Sequence, residues 1–594
     1  MTVERIFWER IHLSIVLQTD DDMAADESVR FFLVGPERKV KTCFRVTSRE
    51  GNLLTMTINV TNSGINRCIP NGIYKLMAMR GEDYLGTAVF YGKPETLAGW
   101  SRNFNYSGNK GVYTVSFLVD EDTAEPELAM LFYNGKSGTF SDRAVKASWL
   151  GAEEAAAAMK KPPLPVSAVN KVKSRLKKFY SKWAGKFKSF LYRRLRNKYK
   201  HAAKPHILFL SDKNDVMTTN MEALYRRMLD RGLDKDWVID VSLGCSALQP
   251  FSKKKNILDL ILIAKANVII VDDHYELFNR MLLDESTRLI QIWHAGAGFK
   301  GVGYSRWGHF GCPGLFSAHR QYSYCISGSK AISHFFSEQF GILDEQIIPT
   351  GMPRMDDYLD PAHIEKTRAE LREQYPQFIG KRVVLFAPTY RGQTRKTANY
   401  PYELIDFEGL YRYCLEKDAV ILFKMHPWVP GDVPIEERFR DRFFSMNSYR
   451  NINDLFYITD LLITDYSSSM YEFLLMKKPM LFFPFDKNQF ATSRGFHRDY
   501  DSNVPGKICE SFDLLLQAMR DEDYEFEKVE RMLGEYFDNV DTHNSDRVID
   551  WLILDRLPQE YRDALDRKRS EVAAFRSIIV PCPADAEREE GPEG

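Results

Sequence analysis

The chain has 594 residues, of which 44% are hydrophobic and 27% are charged, and its 81 basic side chains equal its 81 acidic ones. This composition is typical of a soluble globular protein of several domains. It excludes disorder over the whole length, a disulfide scaffold and a small metal-stapled module. The eight cysteines are scattered without a C-x-x-C pair, so we expect free thiols in a reducing compartment.

The first residues argue against secretion. Glu4 and Glu9 stand where a signal peptide would be basic, and no uninterrupted run of 18 apolar residues occurs in the chain. We therefore expect a cytoplasmic protein without a membrane-spanning helix.

Residues 1–145 predict an all-β, sandwich-like accessory domain. Short alternating or β-branched runs are separated by turn residues such as Ser63-Gly64 and Pro70-Asn71-Gly72; the runs cover 30–34, 41–46, 53–60, 73–79, 112–119 and 128–133. This spacing is typical of a sandwich. The segment has no catalytic constellation, so we interpret it as a binding or spacer module.

Residues 146–204 predict a linker followed by a basic amphipathic helix. No Asp or Glu occurs from 155 to 211, and 16 Lys or Arg lie between 160 and 204. Apolar residues recur every three or four positions, as on one helix face: Val172, Leu176, Phe179, Trp183, Phe187, Phe190 and Leu191. Such a helix suits an anionic membrane surface. The alternatives are packing on the next domain, binding of a partner protein, and, least favoured, nucleic acid, which we do not expect as a partner.

From Pro205 onward, apolar runs alternate with helical patterns, which predicts parallel, doubly wound sheets. The apolar runs of a first series cover 207–210, 268–271, 289–293, 323–326 and 347–349, and those of a second series cover 383–387, 420–424, 461–464 and 480–483. We predict two α/β lobes, 205–365 and 366–545, with a cleft between them. Residues 546–594 are predicted to form a C-terminal helix and a flexible tail.

Polar residues that follow strands in such sheets face the ligand crevice. His294 follows one predicted strand and precedes a glycine-rich turn, Ala295-Gly296-Ala297-Gly298. Glycines let backbone N–H groups approach an anion, and imidazole can act as a base near neutral pH. The alternative is a structural turn.

Asp465 ends another predicted strand, and a helix begins in the serines Ser467 and Ser468, with Glu472 one turn further on. Free N–H groups and hydroxyls at a helix N-terminus can bind phosphate. The alternative is an ordinary helix cap.

Three further predicted strands are followed by positively charged or aromatic side chains. The first is followed by Arg354, the second by Thr389, Tyr390 and Arg391, and the third by Lys424 and His426. Together the five strand ends favour a diphosphate-bearing donor. No paired acidic cluster or D-x-D motif suggests a metal, so we expect none, and no cofactor; His, Arg and backbone dipoles would meet the phosphate charge.

In order and spacing, five motifs resemble the CDP-glycerol glycerophosphotransferase family of teichoic-acid polymerases and primases: WHAGAGFKGVG, GMPRMDDYL, LFAPTYRG, FKMHP and LLITDYSSSMYEFLLMKKPMLFF. The later RGFHRDYDSNVPGKI is also similar. The resemblance covers about 205–545. It implies a GT-B-like pair of lobes, with the acceptor on the first and a CDP-polyol donor on the second. It also implies transfer of polyol phosphate to a lipid-linked polymer at the cytoplasmic membrane face, with release of CMP.

The resemblance also implies residue roles. His294 matches the general base that deprotonates the acceptor hydroxyl, and His426 matches the histidine that meets the donor diphosphate. Positions that match donor contacts are Arg354, Thr389, Tyr390, Lys424, Ser467, Ser468 and Glu472. The turn after Trp293 looks more like ribitol-type than glycerol-type members, and both donors stay open, as do polymerase and primase. The competing functions are a GT-B glycosyltransferase that uses a nucleotide sugar and a membrane-bound, polymer-binding scaffold without catalysis.

Overall fold

The computed structural model describes residues 1–136 and 187–580, except 65, 107–110, 121–122, 213–215, 218, 245–252, 280, 295, 297–298, 300, 310–311, 393–395 and 494. Three sheets occur in these ranges, one antiparallel and two parallel, which confirms the predicted α/β class. Within the same ranges, no helix is both long and apolar enough to cross a bilayer. Most of the predicted basic helix and residues 581–594 of the predicted tail lie outside the described residues.

The N-terminal sheet has ten strands: β1 (Thr2–Glu9), β2 (His12–Gln18), β3 (Val29–Val34), β4 (Val40–Glu50), β5 (Leu53–Asn59), β6 (Gly72–Arg80), β7 (Asp83–Thr87), β8 (Arg102–Tyr106), β9 (Gly111–Asp120) and β10 (Glu127–Lys136). Two short helices, α1 (Asp21–Ala25) and α2 (Pro94–Trp100), interrupt the series. The strand order is β1-β2-β5-β4-β3-β6-β10-β9-β8, with β7 paired to β6. Val89 bridges both Thr2 and Glu127, so the sheet curls and brings β1 towards β10.

This sheet shares its hydrophobic core with the first lobe. The Trp307 indole of that lobe lies 5.2 Å from the Phe104 ring and 4.9 Å from the Tyr113 ring, between centroids. Buried Arg320 donates to the Thr61 carbonyl at 2.7 Å and, through Nε, to the Tyr304 hydroxyl at 2.7 Å. The N-terminal domain is therefore packed against the first lobe through buried apolar and polar contacts, which a spacer module would lack.

The first parallel sheet contains β11 (His206–Leu210), β12 (Val238–Ser242), β13 (Val268–Val271), β14 (Arg288–Gln291), β15 (Tyr324–Ile326) and β16 (Ile347–Ile348). Its helices are α3 (187–199), α4 (Thr219–Asp230), α5 (Lys253–Lys265), α6 (Ser333–Phe340), α7 (Met355–Leu359) and α8 (Pro361–Gln374). The strand order is β12-β11-β13-β14-β15-β16. Because helices cover both faces, the inner strands are continuous apolar runs.

The second parallel sheet contains β17 (Arg382–Phe386), β18 (Ala419–Phe423), β19 (Phe443–Ser445), β20 (Leu461–Thr464), β21 (Met480–Phe482) and β22 (Lys507–Ile508). Its helices are α9 (Phe407–Glu416), α10 (Ile452–Phe456), α11 (Ser469–Leu474), α12 (Lys487–Ser493), α13 (Phe512–Asp521) and α14 (Glu527–Tyr536). The order β19-β18-β17-β20-β21-β22 reverses between β17 and β20. Ligands of doubly wound sheets bind at such a reversal.

After the second lobe the chain returns to the first. Helix α15 (Asn544–Arg547) and the π-helix Val548–Ile553 follow α14, and Val548 and Leu552 join a core with Phe209 and Ile290. Helix α16 (Gln559–Ser577) then reaches the N-terminal sheet, where Val580 N donates to the Arg38 carbonyl at 3.0 Å. The C-terminal segment therefore contacts both the first lobe and the N-terminal domain.

Candidate active site

His294 lies just beyond the carboxyl end of β14 and is exposed to solvent. Its Nδ1 is 3.5 Å from the Asp272 carbonyl, and its ring is tilted by 34° to the Trp293 ring, with centroids 4.4 Å apart. A carbonyl oxygen can only accept, so this contact places the proton on Nδ1. The lone pair of a neutral His294 is then on Nε2, the atom that a base would use.

The surroundings of His294 keep its imidazole neutral. Protein atoms around the ring lower its pKa below the ordinary value, chiefly by desolvation, and Asp273 acts in the opposite direction. The Arg354 charge lowers the pKa further, and the Asp272 carbonyl raises it. The result is an unprotonated base at neutral pH.

Asn220 of α4 holds the His294 strand end to the turn that carries Arg354. Its side-chain amide donates to the carbonyls of Ile292 and Trp293 at 3.0 and 2.8 Å. Its oxygen accepts from the Arg354 backbone N–H at 3.3 Å. Because Asn220 is fully buried, it fixes His294 and Arg354 relative to each other.

The two lobes are joined by an ion pair. Arg354 of the first lobe contacts the Glu472 carboxylate of α11 in the second, and both side chains are buried. Asn453 also lies within 3.5 Å of that carboxylate. Arg354 Nε is buried and has no hydrogen-bond partner among the described residues. The pair therefore brings a first-lobe cation and a second-lobe acid, each predicted as a donor contact, into direct contact.

At the reversal of the second sheet, Asp465 organises the loops after β17 and β20. Its Oδ1 accepts from the Thr389 and Tyr466 N–H groups at 2.7 and 2.5 Å. Its Oδ2 accepts from Arg391 at 2.8 Å. Arg391 also forms two bonds of 2.7 and 2.9 Å with Asp486 and one of 2.6 Å with the Thr389 carbonyl.

Through these contacts, Arg391 and Asp465 hold the loops after β17 and β20 in position. Burial alone would lower the pKa of Arg391, but the two carboxylates hold it above its ordinary value. Nε and both terminal nitrogens of the guanidinium point to acceptors of its own lobe. Arg391 therefore fixes the loop that presents Thr389, and its predicted contact with a donor phosphate stays a prediction.

His426 and Lys424 follow β18 in the same lobe. His426 Nδ1 accepts from the Trp428 N–H at 3.1 Å, so the proton of a neutral His426 is on Nε2, the opposite arrangement to His294. The Tyr390 ring lies 4.5 Å from the imidazole, between centroids. Lys424 Nζ donates to the Asn447 carbonyl at 3.1 Å, and burial lowers its pKa. This strand end thus presents an N–H donor and an ammonium group.

The serines lie where α11 begins, although that helix has only six residues. The hydroxyls of Ser467 and Ser469 are 2.8 Å apart, and Ser468 is the N-cap residue. In the glycine-rich turn, Gly296 is described, and a Cβ there would come within 2.7 Å of Met352 Sδ. The other predicted contacts of this turn, Ala295, Ala297 and Gly298, lie outside the described residues.

Both lobes of the chain match one known protein family. Residues 192–554 match the model of the CDP-glycerol:poly(glycerophosphate) glycerophosphotransferase family. The chain belongs to this family. The match begins in α3, spans both lobes and ends after the π-helix, so the family resemblance drawn from the motifs is confirmed.

Relatives within this glycerophosphotransferase family carry specific names. Teichoic acid ribitol-phosphate polymerase TarL of Staphylococcus aureus (strain NCTC 8325 / PS 47) is 39% identical over 382 residues, or 63% of this chain and 67% of that protein. Teichoic acid ribitol-phosphate polymerase TarK of the same strain is 40% identical over 344 residues, or 58% of this chain and 67% of that protein. The solved wall teichoic acid polymerase TagF is 21% identical, with a TM-score of 0.47, and the match covers 67% of this chain and all of TagF.

Three residues near His294 were not predicted as site residues: Asn220, Asp272 and Asp273. Asp272 and Asp273 follow β13, next to the reversal between β11 and β13, and both act on His294. The strand-end rule applied to β13 would have selected them. Asn220 had no sequence signal, because its role depends on carbonyls 72 and 73 residues away.

Proposed function

We propose that the chain transfers a polyol phosphate from a CDP-polyol to the hydroxyl end of a teichoic-acid-like polymer and releases CMP. The observation that carries the proposal is the buried ion pair between Arg354 and Glu472, which joins the two lobes. In the first lobe, the end of β14 presents a neutral His294 imidazole with its lone pair on Nε2. In the second lobe, the end of β18 presents an imidazole N–H and a lysine. A base and a diphosphate-binding edge are the two parts that this transfer requires.

In this proposal, His294 Nε2 takes the proton of the acceptor hydroxyl as its oxygen attacks the phosphorus next to the polyol. A new P–O bond forms, and the P–O bond to the bridging oxygen of the diphosphate breaks. CMP carries away the electron pair of the broken bond. The step is a direct displacement in which positioning and charge stabilisation supply the rate enhancement.

We propose that residues 366–545 bind the donor and residues 205–365 the acceptor. His426 Nε2–H and Lys424 would meet the diphosphate, and Arg354 Nε would donate to a ligand oxygen beside Glu472. Thr389, Tyr390, Ser467 and Ser468 complete the proposed donor contacts. Support comes from the position of Thr389, Tyr390, Ser467 and Ser468 after β17 and β20, at the reversal of the second sheet.

Ribitol phosphate is the favoured unit. The two ribitol-phosphate polymerases are 39% and 40% identical to this chain, whereas a glycerol-phosphate primase of Bacillus subtilis (strain 168) is 27% identical over 285 residues. The ribitol-like turn after Trp293 points the same way. Glycerol phosphate is the second candidate, because the family model carries that name.

The deciding experiment measures CMP release with CDP-ribitol and CDP-glycerol side by side, in the presence of a polyol-phosphate acceptor. We expect CMP with CDP-ribitol at a higher kcat/KM than with CDP-glycerol. The matched control omits the acceptor, which separates transfer from hydrolysis of the donor.

Two results would contradict the proposal. Release of a nucleoside diphosphate from a nucleotide sugar, without CMP from either CDP-polyol, would indicate glycosyl transfer. Absence of turnover with every donor, together with retained polymer binding, would indicate a scaffold.

We also propose that the protein binds the cytoplasmic face of the membrane through the basic segment that ends in α3. One face of α3 is fixed to the first lobe: Arg196 donates to the Ala266 carbonyl at 2.8 Å, and Tyr192 is buried. The other face exposes Phe187 and Phe190, at 63% and 55% of their surface. Rings next to arginines on an exposed face suit an anionic bilayer surface.

The membrane proposal predicts that Phe187→Ser/Phe190→Ser weakens binding to phosphatidylglycerol vesicles by about tenfold or more, since a buried Phe contributes about 1.5–3 kcal/mol. Sedimentation with vesicles measures this. Binding by the unaltered protein should fall with added salt and be weak on neutral phosphatidylcholine. Phe526→Ser, at another exposed ring, is the matched control. Equal binding by the double variant and the unaltered protein would contradict the proposal.

A further inference from the structure

Glu338 of α6 lies where three parts of the chain meet. Its carboxylate accepts from His497 Nε2 of the second lobe at 2.6 Å. From the N-terminal sheet, Arg10 and His12 each approach it to 3.5 Å. Only 10% of the Glu338 side chain is exposed, so this first-lobe residue joins the other two domains through one buried carboxylate.

The charge of that carboxylate is set by its partners. Burial alone would raise the pKa of Glu338, but His497, His12 and Arg10 lower it to about 2. Glu338 is therefore ionised at neutral pH. A buried carboxylate without partners would be unfavourable, which makes the N-terminal sheet part of the environment that keeps this group charged.

His497 connects Glu338 to the loop that follows the candidate base. Its side chain is fully buried, and its Nδ1 lies 3.2 Å from the Gln339 amide nitrogen, which can only donate. The proton of a neutral His497 is therefore on Nε2, facing Glu338. The His497 backbone N–H donates to the Phe299 carbonyl at 2.9 Å, five residues beyond His294.

The same loop has further contacts with the second lobe. Gly301 N donates to the Gly495 carbonyl at 3.3 Å. The Phe299 ring lies 5.5 Å from Phe496 and 5.9 Å from Tyr500, between centroids. Phe299 and Gly301 are thus in contact with a second-lobe segment that His497 ties to Glu338.

We propose that Glu338 and His497 are positioning residues for phosphotransfer: they hold Phe299 and Gly301, which follow the candidate base His294 in the chain, and the N-terminal sheet supports them through Arg10 and His12. Neither residue touches a reacting atom in this scheme. The expected effect on turnover rests on the proposed function. The expected effect on the position of Phe299 and Gly301 concerns the folded chain alone and does not depend on that function. The N-terminal domain thereby acquires a role in the acceptor side of the site.

The test compares Glu338→Ala with Glu338→Gln in the full chain. Alanine removes the acceptor of His497, and glutamine keeps a neutral acceptor oxygen. With Glu338→Ala we expect faster amide hydrogen exchange in the peptide 299–303, without a change in the strands of either lobe. We also expect turnover with a polymer acceptor to fall about 10- to 100-fold, since small displacements of reacting groups cost that much, with the donor KM within about twofold.

Glu338→Gln should restore most of the turnover and exchange protection. Glu345→Ala, which alters a half-buried carboxylate of the same lobe outside the cluster, is the matched control and should leave both unchanged. Arg10→Ala/His12→Ala should shift exchange in the direction of Glu338→Ala. Unchanged exchange at 299–303 in Glu338→Ala, or equal acceleration throughout both lobes, would overturn the proposal. If the unaltered protein released no CMP, the proposed function would fail while the exchange result still decided the positioning role.

Discussion

Replacing His294 with alanine is expected to lower turnover by about 10²-fold or more, because a positioned general base contributes at least that factor. The imidazole is exposed, so its loss leaves no buried cavity and the fold should remain intact. The measurement is the initial rate of CMP release with CDP-ribitol and a saturating acceptor, together with the circular dichroism spectrum. His201→Ala, at another exposed histidine, is the matched control.

The pH dependence gives a second test of the same residue. A base must be unprotonated, so kcat/KM should fall as pH falls through the pKa of His294. Desolvation holds the pKa of His294 below the ordinary histidine value, so the acid limb should lie at lower pH than that of an ordinary histidine. Since Asp273 raises the pKa, Asp273→Asn should move the limb to still lower pH. Turnover in His294→Ala equal to that of the unaltered protein would remove this residue from the mechanism.

Breaking the pair between Arg354 and Glu472 is expected to cost about 3–5 kcal/mol of stability, because removal of one partner leaves a buried charge without compensation. Glu472→Leu and Arg354→Met should each lower the midpoint of urea unfolding and abolish most CMP release. Arg226→Met, at an exposed pair with Asp357, is the matched control, since exposed pairs contribute about 0–1 kcal/mol.

The double variant Arg354→Met/Glu472→Leu separates stability from function. Two apolar side chains of similar volume can replace a buried ion pair without loss of stability, so the unfolding midpoint should return towards that of the unaltered protein. Turnover should stay low, because the proposed donor contacts are still missing. Recovery of both quantities would show that the pair only joins the lobes, and would contradict its proposed part in donor binding.

The inner strands of both lobes were predictable because burial on both faces makes them continuous apolar runs. The runs at 268–271 and 461–464 coincide with β13 (Val268–Val271) and β20 (Leu461–Thr464). The lobe strands that were missed, β12, β19 and β22, all lie at sheet edges. An edge strand has neighbours on one side only and tolerates polar residues; β12, for example, contains Asp240 and is mostly half-buried. Its sequence therefore lacks the signal.

The candidate site was also predictable only in part. The sequence by itself determined which polar residues follow strands, since an apolar run and its end are local features and parallel strands share one carboxyl edge. That reasoning placed His294, His426 and Thr389 at strand ends. The order and spacing of the motifs also determined the family.

Only the tertiary structure decided the partners of these side chains. Arg391 and Arg354 are both arginines near strand ends, yet Arg391 binds carboxylates of its own lobe and Arg354 crosses to Glu472, 118 residues away. The packing of the N-terminal sheet against the first lobe, and the contact of Arg10 with Glu338, are likewise decided by distant parts of the chain. The physical reason is that hydrogen bonds and ion pairs act over a few ångströms. Which groups come that close depends on how separate elements pack, and this is not encoded in any short stretch of sequence.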